Sequence, residues 1–254
     1  MKARLYAVPA SHPSAAVEAA LRLKGIEFER VDLVPFAHRI AQARRFRGMT
    51  VPGLELDGER ILGSRAIMRA LDAHTPDPPL LPDDPQRLAA LKRAEEWGEE
   101  VLQPIARRIV WGALARNPAA LETYAAPTRP PVPAPVGRAI APLIARLGVV
   151  FHGAMDTDVQ VDLLHLDAHL VRVEDWMADG LLGGERPNAA DLQIASSVRL
   201  LLTLGDLRAA LDARPAGAPA RRWFPSYPGD CPAGALPAGW LGALGGSSVA
   251  AKRA

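Results

Sequence analysis

Three short stretches of this chain carry residue types that could hold and activate a small nucleophile or anion. The first is Ser11-His12-Pro13-Ser14, two serines three apart ahead of an apolar-periodic run. A helix N-terminus presents unpaired N–H groups and the positive end of the helix dipole, which favour a thiolate or another anion. A serine hydroxyl there can donate a hydrogen bond to a bound thiolate and lower its pKa without being a nucleophile itself. The plain alternative is that a serine merely caps the helix, a position Ser prefers. The second stretch is Val51-Pro52, directly before a hairpin strand. A cis X-Pro bond would leave the Val51 N–H and C=O at a strand edge, ready to pair with a peptide-like ligand. The third is Ser64, opening the next helix, whose hydroxyl and neighbouring N–H groups could hold a carboxylate. Here too an ordinary N-cap is the plain alternative.

These residues need elements to position them. Residues 3–8 alternate weakly and read as a first strand, 14–24 as an amphipathic helix stopped by Gly25, and 27–33 as a second strand. Residues 38–47 are Arg-rich and helix-permissive. Residues 51–63 read as a hairpin about Asp57-Gly58, and 64–74 as a helix with Ser64 as its N-cap. The order β-α-β-α-β-β-α makes a compact α/β unit with a right-handed crossover helix. The proline-rich stretch 75–85 reads as a linker. Residues 86–116 then form one long helical pattern that Pro104 should kink or divide. A second proline-dense loop covers 126–135. Further helices are expected at 157–178, 188–203 and 205–213, and the tail from 214 should pack irregularly and fray after about residue 245.

Composition narrows the class. The chain has 254 residues, 49% apolar and 23% charged, and a formal net charge of +2, the balance of a globular protein rather than a nucleic-acid binder. One cysteine, Cys231, rules out an internal disulfide. No signal-like start or membrane-length apolar run is evident, so a cytoplasmic protein with no membrane partner is expected. Asp158, Asp162, His165 and His169 share a helix face, but acid–histidine pairing along a solvated edge explains them better than a metal site. Arg44, Arg45 and Arg47 read as a solvated face, and Cys231 as incidental.

Taken in order, Ser11-x-x-Ser14, Val51-Pro52 and "ILGSRAI" (61–67), with the linker and the helical second half, resemble the glutathione transferase family over about residues 1–213. "RPNAADLQIASSVRLL" (186–201) resembles that family's capping-box helix, with Asn188 as N-cap and Asp191 at N3. The resemblance implies a thioredoxin-like glutathione-site domain over 1–76, a linker over 77–85, and an all-helical domain with an irregular tail over 86–245. It places Ser11 and Ser14 where redox relatives carry a Cys-x-x-Cys pair, so disulfide exchange is excluded there. Ser11 would steady the glutathione thiolate and Val51, held by Pro52, would pair with the tripeptide backbone. Ser64 and Arg65 would face the γ-glutamyl carboxylate, and His38 or Arg39 the glycyl end.

A small apolar electrophile would sit between the domains, near Trp97, Val101 and Arg108, in a homodimeric detoxification enzyme. Two departures bear on this. Gly63 stands where the family commonly has an acid, and Thr50 where a basic residue often precedes Val-Pro. Each hydrogen bond to a charged group is worth about 1.5–3 kcal/mol, so losing two such anchors weakens glutathione binding by orders of magnitude. The alternatives are a non-catalytic relative that binds a ligand or protein, or an enzyme using a different low-molecular-weight thiol.

Overall fold

Four strands form one mixed sheet in a computed structural model of the chain that describes residues 2–125 and 133–242. They are β1 (Ala3–Ala7), β2 (Phe28–Asp32), β3 (Gly53–Leu56) and β4 (Glu59–Leu62), in the order β2-β1-β3-β4. β2 runs parallel to β1, while β3 is antiparallel to both β1 and β4. Around them lie α1 (His12–Leu23), the crossover between β1 and β2, then α2 (His38–Phe46) and α3 (Ser64–His74). The β3–β4 turn is Asp57-Gly58, with φ of +48° and +94°, the doubly positive geometry that suits a two-residue hairpin.

The register decides where the candidate residues go. Tyr6 pairs with Gly53, Gly53 with Leu62, and Ala7 with Asp32. The chain therefore leaves β1, enters β3, leaves β4 and leaves β2 at the same end of the sheet. Ser11, Val51, Ser64 and the β2–α2 loop that precedes His38 all gather there.

The remainder is helical: α4 (Pro85–Trp97), a π-helical turn (Gly98–Leu102), α5 (Gln103–Arg116), α6 (Leu121–Ala125), α7 (Ala134–His152), α8 (Asp156–Ala178), α9 (Ala189–Leu201), α10 (Gly205–Asp212) and α11 (Gly217–Trp223). This is the α/β unit plus all-helical half that the sequence predicts. Pro104 does divide the long pattern. It sits in the first turn of α5, where its missing N–H costs nothing, and the π-turn joins α5 to α4. Three helices were not anticipated, α6, α7 and α11. Of the proline-dense loop, 126–132 lie outside the described residues, as does the tail beyond 242 where fraying was expected.

α9 is the centre of the helical half, buried along its whole length and packed on α1, α4, α5 and α11. Its start is the predicted capping box. Asn188 accepts the Asp191 N–H at 2.9 Å, and Asp191 accepts the Asn188 N–H at 3.0 Å. The two halves are also tied by polar contacts. Arg69 reaches the fully buried Glu95 at 2.6 Å, and the Leu80 carbonyl accepts the Ala189 N–H at 3.0 Å. No single helix among the described residues is long and apolar enough to cross a membrane.

Candidate active site

α1 begins at His12, so Ser11 is its N-cap, with extended backbone and a side-chain oxygen that accepts the Ser14 N–H at 3.4 Å. The Ser14 hydroxyl, wholly buried, donates to the same oxygen at 2.9 Å. Ser11 Oγ thus receives two donors from behind, and its own O–H has no partner among the described residues. A hydroxyl polarised this way is a better donor to whatever lies in front of it. The loop before it is held from the far end of the chain, where the Tyr227 hydroxyl donates to the Ala10 carbonyl at 2.7 Å.

Val51-Pro52 is cis. The flanking carbonyls are occupied: Thr50 accepts from Gln42 Nε2 at 3.0 Å and Pro52 from the Gly63 N–H at 2.9 Å. Between them the Val51 N–H and C=O take no partner among the described residues, leaving one donor and one acceptor at the strand edge.

Ser64 is not the N-cap expected of it. Gly63 occupies that place with φ +91°, which L side chains rarely adopt, and no side chain caps the first turn of α3. Ser64 is instead the first helical residue, buried beside the open N–H groups of that turn. Arg65 departs further from expectation. It pairs with Glu99 of the π-turn at 3.2 Å, drawn towards the helical half by that carboxylate. His38 and Arg39 open α2. The Nδ1 of His38 is buried without a partner, and burial together with Arg39 lowers its pKa. Arg39 spreads over the Phe151 ring at 4.7 Å and reaches Met49 Sδ at 3.4 Å.

The helical half closes the site with residues that sequence reasoning missed. His12, 3% exposed, has an unpartnered Nε2 and feels Arg107 of α5 and His152 at the end of α7. Burial, reinforced by Arg107, holds the His12 pKa well below its usual value and that of His152 down to about 4, so both rings are neutral at pH 7. His152 stacks on Trp111 at 5.5 Å, and Phe36 from the β2–α2 loop packs on Trp111 at 6.0 Å and on Phe151 at 5.5 Å. These rings make an apolar wall across the seam.

The face predicted for the electrophile lies elsewhere. Arg108 is gripped by Asp162 of α8 at 2.6 and 2.7 Å, and Trp97 packs on His169 and Trp176. Asp162 is accordingly buried in an ion pair with α5, not pairing with histidine on a solvated edge. Among the described residues no group of His, Cys, Asp and Glu is placed to hold a metal. Cys231 is fully buried against the helical core, and burial pushes its thiol up to about 11.

Residues 5–79 match the family described as glutathione S-transferase, N-terminal domain. Maleylacetoacetate isomerase of Mus musculus is 35% identical over 106 residues, 40% of this chain and 49% of that protein. The match thus spans about half the length of that relative. Among solved structures, a glutathione S-transferase from Rhodospirillum rubrum F11 superposes with a TM-score of 0.58 at 20% identity, covering 87% of this chain and 86% of the other. FzlA from C. crescentus does so with a TM-score of 0.57 at 16% identity, covering 96% and 99%. At such identities the two structures establish a shared fold.

Proposed function

Starting from a chain that is a glutathione S-transferase family protein, we propose that it binds glutathione at the gathered end of the sheet and that the glutathione thiolate, its proton released to solvent, forms a carbon–sulfur bond to a small, largely apolar electrophile, whose displaced electron pair leaves with a leaving group or takes up a proton. Ser11 donates its O–H to the sulfur and favours the thiolate, with Ser14 behind it as the positioning residue. Val51 pairs with the tripeptide backbone through its free N–H and C=O. Ser64 and the uncapped first turn of α3 receive the γ-glutamyl carboxylate without Arg65, which Glu99 holds. The electrophile lies against Phe36, Trp111 and Phe151, and catalysis comes from thiol activation and proximity. The division at the 77–85 linker and a homodimer, testable by light scattering, belong to the same proposal.

The observation that carries the reading is the Ser11 hydroxyl, backed by Ser14 at 2.9 Å and free to donate at a helix N-terminus. Ultraviolet titration of the bound thiolate tests it. Hydrogen bonding to a charged group is worth about 1.5–3 kcal/mol, so the glutathione thiol pKa should fall by about 1–2 units in the complex. In Ser11→Ala most of that fall should vanish. A thiol pKa in the wild-type complex equal to that of free glutathione would refute the role. The second reading, a ligand-binding relative without catalysis, is favoured by Gly63 and by the diversion of Arg65. Tight glutathione binding without thiolate formation would select it.

A further inference from the structure

Arg107 stands apart from the other arginines at the seam. Arg65, Arg69 and Arg108 each reach a carboxylate, on Glu99, Glu95 and Asp162 respectively. Arg107, part-buried on α5, donates no hydrogen bond and meets no carboxylate among the described residues. A guanidinium keeps its charge under burial and carries five N–H donors, so a desolvated one without a partner is a site waiting for an anion. Among the described residues the charged group that acts on it is Arg108, whose own charge Asp162 offsets.

The neighbours support an anion rather than compete for it. His12 is 3% exposed and its Nε2 has nothing to bond, while His38 nearby leaves Nδ1 buried and equally unpartnered. A neutral imidazole can turn an N–H towards an acceptor without adding charge. Arg107 is the cation that the neutral rings of His12 and His152 flank, while Arg39, beside His38, is turned over the Phe151 ring, an arrangement that suits a monoanion better than a dianion. His12 follows Ser11 directly in the chain. Trp111 lies one helical turn beyond Arg107 and stacks on His152, so an apolar surface continues from the cation.

We propose that Arg107, with His12 and His152 beside it, receives a carboxylate borne by the electrophile, making the second substrate an acid with an apolar body. This rests on the transferase reading for the identity of the second substrate. The carboxylates of glutathione are not the intended occupant, because the contacts proposed for the tripeptide come from the sheet end rather than from α5.

The test uses the full chain and two matched probes, cinnamate and neutral cinnamamide, titrated by calorimetry with and without saturating glutathione. The wild type should prefer the acid by about tenfold or more, as expected for a charge-assisted bidentate contact. Arg107→Met should bring the ratio near one, and Arg107→Lys should restore part of it. Equal affinity of the wild type for acid and amide would overturn the proposal, and this measurement needs no variant to fold. So would an acid preference unchanged in folded Arg107→Met, or loss of cinnamate binding when glutathione is added. If the preference is present and depends on Arg107 while glutathione itself never binds, the acid site stands and the transferase reading falls.

Discussion

Replacing Asp191 by alanine should lower stability more in acid than in base, which is the reverse of the usual carboxylate. Its side chain closes the capping box and accepts N–H groups from Asn188 at 3.0 Å and Gly183 at 2.8 Å. Burial nevertheless outweighs those donors and lifts its pKa from 3.8 to about 6. Because the folded pKa lies above the unfolded one, the folded state binds the proton more tightly. The group's contribution is therefore fully present below the unfolded value and is lost as pH rises through about 6. Carrying the two values from about pH 8 to about pH 5 gives the wild type about 1–2 kcal/mol of added stability from this one residue. The alanine variant strands two N–H groups and should be less stable by about 1–3 kcal/mol in base, with the deficit growing by about 1–2 kcal/mol in acid. Urea unfolding of both proteins at the two pH values, followed by circular dichroism, measures this. Subtracting one protein from the other cancels every group they share. A deficit that stays flat or shrinks in acid refutes the argument that burial outweighs the capping donors.

Two further outcomes follow from the same accounting. Arg69→Met leaves Glu95, whose side chain is 0% exposed, without its partner, and should lower stability by about 3–5 kcal/mol near neutrality. Burial already raises the Glu95 pKa, so the loss should be least in acid and grow as pH rises through the folded value; equilibrium unfolding across pH reads it. Cys231 should resist a thiol reagent in the native protein at pH 8 and react at once in denaturant, because burial raises its pKa to about 11.

Much of the sheet unit was legible because its signals are local. Asp57-Gly58 names its own turn and Ser11 caps α1, while in the helical half the Asn188–Asp191 box, expected from the family resemblance, is likewise a three-residue spacing. α7 was not legible, since prolines crowd its start, Pro142 interrupts it, and Val136, Ile140, Leu143, Leu147 and Val150 face outward. An apolar pattern that does not mark the core reads as no pattern. Ser64 failed as an N-cap because the backbone before it turns through positive φ, so Gly63 takes the cap and the helix starts one residue earlier than a serine cap implies. Arg107 and Arg108 are adjacent, and about 100° of helical rotation separates them. Nothing local says which one faces α8, and the choice was made by Asp162, fifty-four residues away.

The central claim is that Ser11 holds a glutathione thiolate at this site, and calorimetric titration with glutathione tests it most directly. The wild type should bind with a Kd below about 1 mM, or about −4 kcal/mol. Ser11→Ala should retain that binding through Val51 and Ser64 while losing thiolate formation. No detectable heat in the wild type up to about 10 mM glutathione, tenfold above that threshold, would contradict the account.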